Sequence, residues 1–372
     1  MRDDEWAVLS SFFPAGWKDL AVRTKAVKGL RKAKGAGPLL RTLLLHVGCG
    51  YSLRETAVRA KQAGLGELSD VAVLKRLRKS REWLYELCQG LFAERGLSSP
   101  ACPGLSMRVV DATSVKEPGR TGSVWRIHFS LRLPALQCDY FKVTGSEGPG
   151  SGETFRQFPL APGDLILGDG AYSTAPGARY VASRQAFLTA RFNPKGARLE
   201  GRSGEAFLLR EALESELSET GRVAVWPVRL VGRDGQGVRG RICALRKSPA
   251  AIELACKRIR RRASKRATAI DPDSFVYARY VVVFTTFPAK RFPAAAVVEW
   301  YRVRWQIELV FKRFKQMAQL GHLPKYDDDS SKAWLYGKLF FALLAEKVRD
   351  HAKAFSPWGY SIRSALGAEP LA

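Results

Sequence analysis

The stretch "GDLILGDGAYS", residues 163–173, carries an unbroken aliphatic run that passes through Gly168 into Asp169 and Gly170. A short, fully apolar run bounded by turn residues reads as a strand, with the Asp-Gly pair marking where the chain leaves it. A similar block lies upstream. "SMRVVDATSV" (106–115) reads as a strand that ends in Asp111. A carboxylate at the C-terminal end of a strand sits at the sheet edge where ligands bind in open α/β sheets. Either aspartate alone is more simply a turn or cap residue. As a pair they are candidates for holding a hard cation, because Mg²⁺ and Mn²⁺ favour oxygen ligands in a rigid frame.

The elements around these blocks set the fold class. "SVWRIHFSLRL" (123–133) alternates apolar and polar residues, and "DYFKVTG" (139–145) is another short run, so antiparallel pairing of the first three strands is expected. "GARYVASRQ" (177–185) reads as a helix and "AFLTARFNP" (186–194) as a strand. The outcome is an α/β chain with a mixed sheet. Residues 194–290 interrupt it with further strands, "RVAVWPVRLVG", "GVRGRICALRKS" and "FVYARYVVVFTTF", and with "KRIRRRASKR" (257–266), which holds seven basic residues in ten. A like-charge block of that kind, including Arg260, Arg261 and Arg262, is expected to be a solvated loop that binds phosphate without sequence preference.

Upstream, residues 1–96 read as helical. Ser52 and Glu55 have capping-box spacing, a helix runs to about Ala63, Gly64 and Gly66 break it, and Ser69-Asp70 restart it. The second helix is expected to carry Lys75, Arg76, Arg78, Lys79 and Arg81. Two short helices about a glycine turn, the second strongly basic, suit a helix-turn-helix-like DNA reader, and they suit an ordinary helical hairpin with a solvated basic face equally well. The expected organisation is a helical DNA-binding region (1–100), a first core segment (101–193), a β-rich insertion with a basic loop (194–290), a second core segment with the Glu308 helix (291–345) and a tail (346–372).

Charge narrows the partner. Lys and Arg number 61 against 35 acids, a net charge of +26. An excess of that size points to a polyanion, and nucleic acid is favoured because neutralising its phosphates releases condensed counterions. The six cysteines form no CxxC pair and the four histidines do not cluster with them, which argues against a zinc site. The N-terminus shows no signal-peptide pattern, and the longest apolar run contains Arg41, so a soluble, cytoplasmic protein is expected.

The third chemical group comes from "EWYRVRWQIELVFKRFKQ" (299–316). At about 100° per residue, Tyr301, Arg304, Glu308 and Lys315 fall on one stripe of a helix. Val303, Ile307, Val310, Phe314 and Met317 form a separate apolar stripe. One face packs while the other presents a single acid flanked by cations. That suits a metal-binding carboxylate with phosphate-gripping neighbours.

The spacing Tyr301-x2-Arg304-x3-Glu308-x6-Lys315 matches the YREK signature of the insertion-sequence-four family of bacterial DDE transposases, and "YRVRWQIELVFKRFK" resembles that family beyond the four letters. "VVDATSV" and "LILGDGAYS" resemble the blocks that carry its first and second aspartates, and the likeness extends over about residues 50–345. The resemblance implies an RNase H-like core interrupted by a β-rich insertion before the last helix. It implies Asp111, Asp169 and Glu308 as a triad holding two Mg²⁺ (or Mn²⁺) ions, and Tyr301, Arg304 and Lys315 as contacts to phosphates of the element's end. It also implies cut-and-paste chemistry, often with a hairpin at the element's end, on double-stranded DNA with terminal inverted repeats and a target. A homodimer assembled on DNA in the bacterial cytoplasm, at the nucleoid, is expected, with no membrane involved. Arg191 and Asn193, ending the "TARFN" strand, are further DNA-contact candidates. Trp226 reads as a core residue rather than a base-stacking one, Trp305 sits beside the catalytic stripe, and His322 reads as a loop residue. Two alternatives stay open: a domesticated or inactive DNA-binding derivative, and a structure-specific nuclease on the same core.

Overall fold

The structure is a computed structural model of the chain, and it describes residues 3–30, 35–94, 106–117, 124–133, 137–148, 150–194, 197–304, 308–309, 312, 316, 320, 323–324 and 327–352. The chain divides into two compact units: residues 1–97, 114–125 and 310–372 in one, and 98–113 with 126–309 in the other.

The first unit is largely helical. It contains α1 (Asp3–Ser10), α2 (Trp17–Arg23), α3 (Ala36–Val47), α4 (Leu53–Gln62), α5 (Asp70–Lys79), α6 (Arg81–Ala93) and a long helix, Asp328–Ala352. The expected break between α4 and α5 is present. The Ser52 hydroxyl accepts from the Glu55 N–H at 3.1 Å and the Ser69 hydroxyl from the Ala72 N–H at 3.2 Å, so each helix opens on a side-chain cap. Between them Gly64 and Gly66 take φ of +66° and +143°, values that side chains with a Cβ resist. The Asp328–Ala352 helix packs on α6, α3 and α5. Trp83 is buried, stacks on Trp17 and donates its ring N–H to the Trp17 carbonyl at 2.9 Å, which joins α2 to α6.

The second unit is built on a sheet. Among the described residues it has nine strands: β1 (Met107–Lys116), β2 (Val124–Arg132), β3 (Gln137–Gly145), β4 (Leu165–Gly168), β5 (Phe187–Arg191), β6 (Arg198–Glu200), β7 (Val223–Val231), β8 (Gly237–Arg246) and β9 (Tyr280–Thr285). Their order is β3-β2-β1-β4-β5-β9-β8-β7-β6. β1, β4 and β5 run parallel, whereas β9, β8, β7 and β6 pair antiparallel outward from β5. Parallel neighbours need a crossover. α7 (Ala175–Ser183) supplies it between β4 and β5. The 3-2-1-4-5 half of the sheet is the RNase H-like mixed sheet that the resemblance implies, and the strands of 194–290 extend the same sheet. α8 (Leu209–Glu216), α9 (Pro249–Arg266), α10 (Asp273–Ala278) and α11 (Ala294–Val303) complete this unit.

Two local expectations are corrected. Residues 257–266 are not a loop: they form the C-terminal half of α9, which opens on a Ser248 cap with Pro249 in the first turn and closes on Ala267 at φ +48°. Good helix formers and caps at both ends outweigh the like-charge repulsion that favoured a loop reading. Nor does β1 end at Asp111. It continues to Lys116 because the sheet retains β2 on its other side after β4 has stopped, and its burial changes there from continuous to alternating.

The core gathers Ile166, Leu188, Leu213, Leu230, Ile242 and Phe284 with the rings of Phe155, Phe158 and Tyr172. Gly240 of β8 faces this core closely: a Cβ there would lie 2.5 Å from the Phe284 ring and 2.7 Å from the Thr285 carbonyl oxygen. Gly240→Ala is therefore expected to lower unfolding stability by about 1–3 kcal/mol, read from urea denaturation of the full chain. A variant as stable as the parent would show that the sheet accommodates the methyl group.

Candidate active site

The candidate site belongs to the sheet unit and starts from strand register. β1 pairs with β4 from Met107↔Leu165 to Val109↔Leu167. Asp111 and Asp169 each lie two residues beyond the last of these pairs, so the parallel register brings them level on adjacent strands, about 4.8 Å apart in backbone spacing. β4 pairs with β5 through Gly168↔Ala190, which puts Arg191 next in line beside Asp169. The sheet edge thus presents Asp111, Asp169 and Arg191 in a row.

Backbone N–H groups hold the two carboxylates. Asp111 Oδ1 accepts from the Ala112 N–H at 2.8 Å. Asp169 Oδ1 accepts from the Ala171 N–H at 2.8 Å and caps a 3-10 turn, residues 170–172.

Arg304, at the C-terminal end of α11, joins the row to Glu308. Its guanidinium lies 3.9 Å from Asp111 Oδ2 and donates to Glu308 Oε1 at 2.9 Å. It also lies over the Tyr301 ring at 5.8 Å. Glu308 is exposed and helical. Burial pushes the Tyr301 hydroxyl above its ordinary value, against the opposing pull of the Arg304 and Arg191 charges, with Asp169 raising it further. Tyr301, Arg304, Glu308 and Arg191 therefore cluster with the two aspartates. Lys315, Trp305, His322 and the tail beyond residue 352 lie outside the described residues.

Sequence reasoning missed two residues here. Glu153 sits 3.7 Å from the Arg126 guanidinium, and its carboxyl is raised by burial and by Asp169, with Arg126 opposing. Tyr172 is buried against Phe155 and Phe158, and its hydroxyl has no hydrogen-bond partner among the described residues. That hydroxyl is raised by burial and then by the charges of Asp111, Glu153 and Asp169. A lone acid in a glycine-rich loop and a tyrosine past a turn carry no periodic signal; only the folded chain brings them to the aspartates.

The donor set fits a divalent cation. Burial pushes the Asp111 carboxyl up to about 6, and the neighbouring Asp169 adds to the shift while Ala112 N–H and Arg304 oppose it. A half-desolvated carboxylate pair of this kind is relieved by a hard cation. Among the described residues no three His, Cys, Asp or Glu side chains gather closely enough to hold an ion, and Glu308 is bonded to Arg304.

Other expected contacts are dispersed. On α5, Lys75 and Lys79 are exposed, but Arg76 donates to the carbonyls of Lys28 and Gly29, and Arg78 is paired with Asp327 at 2.6 Å. Asn193 is exposed. Arg261 and Arg262 are exposed on α9, while Arg260 lies over the Phe275 ring at 5.5 Å. Trp226 is a core residue, as expected: it packs on Phe207 and donates its ring N–H to Glu216 at 2.6 Å.

A family model described as "Transposase DDE domain" matches residues 143–344, more than half of the chain. The chain belongs to the DDE transposase domain family. It is also similar to the putative transposase InsL of insertion sequence element IS186A from Escherichia coli K12, 27% identical over 363 residues that span 95% of this chain and 96% of that protein. The transposase of insertion sequence element IS421 from Escherichia coli is 27% identical over 364 residues, with the same coverage of 95% and 96%. Among solved structures, the catalytic domain of human endonuclease V matches 67% of this chain and 98% of that one at 13% identity and a TM-score of 0.28, a likeness too slight to carry an argument. Among the described residues of this family member, no helix is long and apolar enough to cross a membrane.

The Asp111 shift has a consequence for stability. Its folded value of about 6 lies above the ordinary 3.8, so the folded state binds the proton more tightly than the unfolded chain. The stability this confers is full below about pH 4 and is lost as pH rises through about 6. Asp111→Asn, which keeps an acceptor for the Ala112 N–H, is expected to be more stable than the parent by about 2–3 kcal/mol at pH 7.5 without divalent cations, and equal to it near pH 4. Urea denaturation at the two pH values checks this, and a gap that does not depend on pH would refute the assignment.

Proposed function

We propose that this DDE transposase family member is the transposase of an insertion sequence. It binds the element's terminal inverted repeats in double-stranded DNA, cuts the element out and joins it to a target, with Asp111, Asp169 and Glu308 holding divalent metal ions, Mg²⁺ or Mn²⁺. The observation that carries the reading is the level placement of Asp111 and Asp169 by the β1–β4 register, with Arg304 spanning from Asp111 to Glu308.

Bound divalent ions supply Lewis-acid stabilisation of the phosphoryl oxygens and a nucleophile at neutral pH. The chain's own residues do the rest. Asp111 and Asp169, fixed by backbone N–H bonds, present oxygens from rigid strand positions. Arg304 keeps Glu308 next to them and can exchange that carboxylate for a phosphate oxygen, which is a good bidentate partner for a guanidinium. Arg191 and Tyr301 line the same edge and orient the backbone of the scissile strand, with Lys315 on the phosphates beyond. Strand hydrolysis and strand transfer then differ only in whether water or a 3′-hydroxyl attacks. Assembly on two element ends brings two copies of the chain together on DNA, in the bacterial nucleoid.

The test is cleavage and joining of a duplex that carries the element's end, with Mg²⁺, for the parent and for Glu308→Gln. The parent is expected to nick the end and join it to target DNA, and the variant to lose both by about 100-fold or more while still binding. Binding without metal-dependent nicking by the parent would support an inactive DNA-binding derivative. Nicked products with 3′-hydroxyls that never join would support a nuclease.

A further inference from the structure

Helix α9 differs from its neighbours in the sheet unit. α7, α8, α10 and α11 each bury residues, whereas none of the 18 residues of α9 is buried. At about 100° per residue, and setting Arg261 at zero, Lys257 falls near −40°, Lys265 near +40°, Arg258 near +60° and Arg262 near +100°. All five are exposed, and none forms an ion pair among the described residues. Arg260 falls near −100° by the same count, on the side where it meets Phe275. The partly buried Ile252, Cys256, Ile259 and Ala263 fall around 180°, on the opposite side of the helix from Arg261.

A helix face built this way works against itself in the free protein. Lys257–Arg261, Arg258–Arg262, Arg261–Lys265 and Arg262–Arg266 are all like-charge i,i+4 pairs, each unfavourable, and Glu253 is the one acid in the helix. Neutralisation by a polyanion removes that repulsion. The face also has a suitable length. Lys257 to Lys265 spans about 12 Å of helix axis, and duplex DNA offers one negative charge per about 1.7 Å.

We propose that Lys257, Arg258, Arg261, Arg262 and Lys265 form a sequence-independent rail for the phosphate backbone of duplex DNA. The rail rests on the functional reading above only in taking DNA as the substrate. It assigns α9 to the DNA that leads away from the scissile phosphate, and it assigns Arg260 to packing.

The test uses the full chain in a Glu308→Gln background, so that binding is read without cutting. Affinity is measured against salt for a duplex carrying the element's end and for an unrelated duplex, before and after K257Q/R258Q/R261Q/R262Q/K265Q. The plot of log affinity against log salt is expected to become shallower by about 3 to 4.5 on both duplexes. A slope within about 1 of the parent on both, or a loss confined to the element's end, overturns the rail. The substitutions relieve like-charge pairs and keep good helix formers, so Tm is expected at or above the parent's. Should the fivefold variant melt lower, K257Q/R261Q/K265Q carries the test, with an expected slope change of about 2 to 3. Parent cleavage is assayed alongside. Slopes that shift while the parent never cuts DNA overturn the enzyme reading and leave the rail standing; a parent that cuts while the slopes stay unchanged overturns the rail alone.

Discussion

The parallel register of β1 and β4 is the constraint on which the rest of the candidate site depends. It brings two carboxylates level at the edge of a sheet, where Asp111 is mostly desolvated and its neighbour raises the cost of ionising it. A slip of one residue would turn one aspartate to the opposite face, because side chains alternate along a strand. The aliphatic run of β4, buried along its whole length between β1 and β5, holds that register through its packing on both faces. The level placement of the two carboxylates is thus set by hydrophobic burial, and the backbone N–H groups of Ala112 and Ala171 then orient them.

Arg304 performs two functions that pull in different directions. It offsets part of the Asp111 charge, and it holds Glu308, the carboxylate that belongs to a different element. A guanidinium placed between two acids lets the free protein tolerate a cluster that would otherwise repel itself. The same guanidinium is a ready partner for phosphate. Tyr172, whose buried hydroxyl has no partner among the described residues, feels the charges of Asp111, Glu153 and Asp169.

Much of this was legible in the sequence where one residue type repeats with a period or where a cap has a fixed spacing. The Ser52 and Ser69 helix starts, the glycine break between them and the apolar strand before Asp169 all follow from local chemistry. The basic segment 257–266 was misread because charge and propensity point in opposite directions there, and the caps at Ser248 and Ala267 decide in favour of a helix. β1 was cut short for a related reason: an aspartate after an apolar run looks like a strand end, and the strand that extends it, β2, is a nonlocal partner. Arg76 and Arg78 read as free cations on a basic helix, yet both are engaged by segments remote in sequence.

The sequence by itself determined the residue types, their spacing and the two amphipathic periods. From these it determined the fold class, the polyanionic partner and the three carboxylates to watch. Tertiary structure alone decided which groups meet: Asp111 beside Asp169, Arg191 next in the row, Glu153 and Tyr172 around them, and Arg260 over the Phe275 ring. The reason is physical. Periodicity and capping are local free energies summed over a few residues, whereas register, desolvation and the sharing of one guanidinium between two acids depend on elements that come together only when the sheet forms.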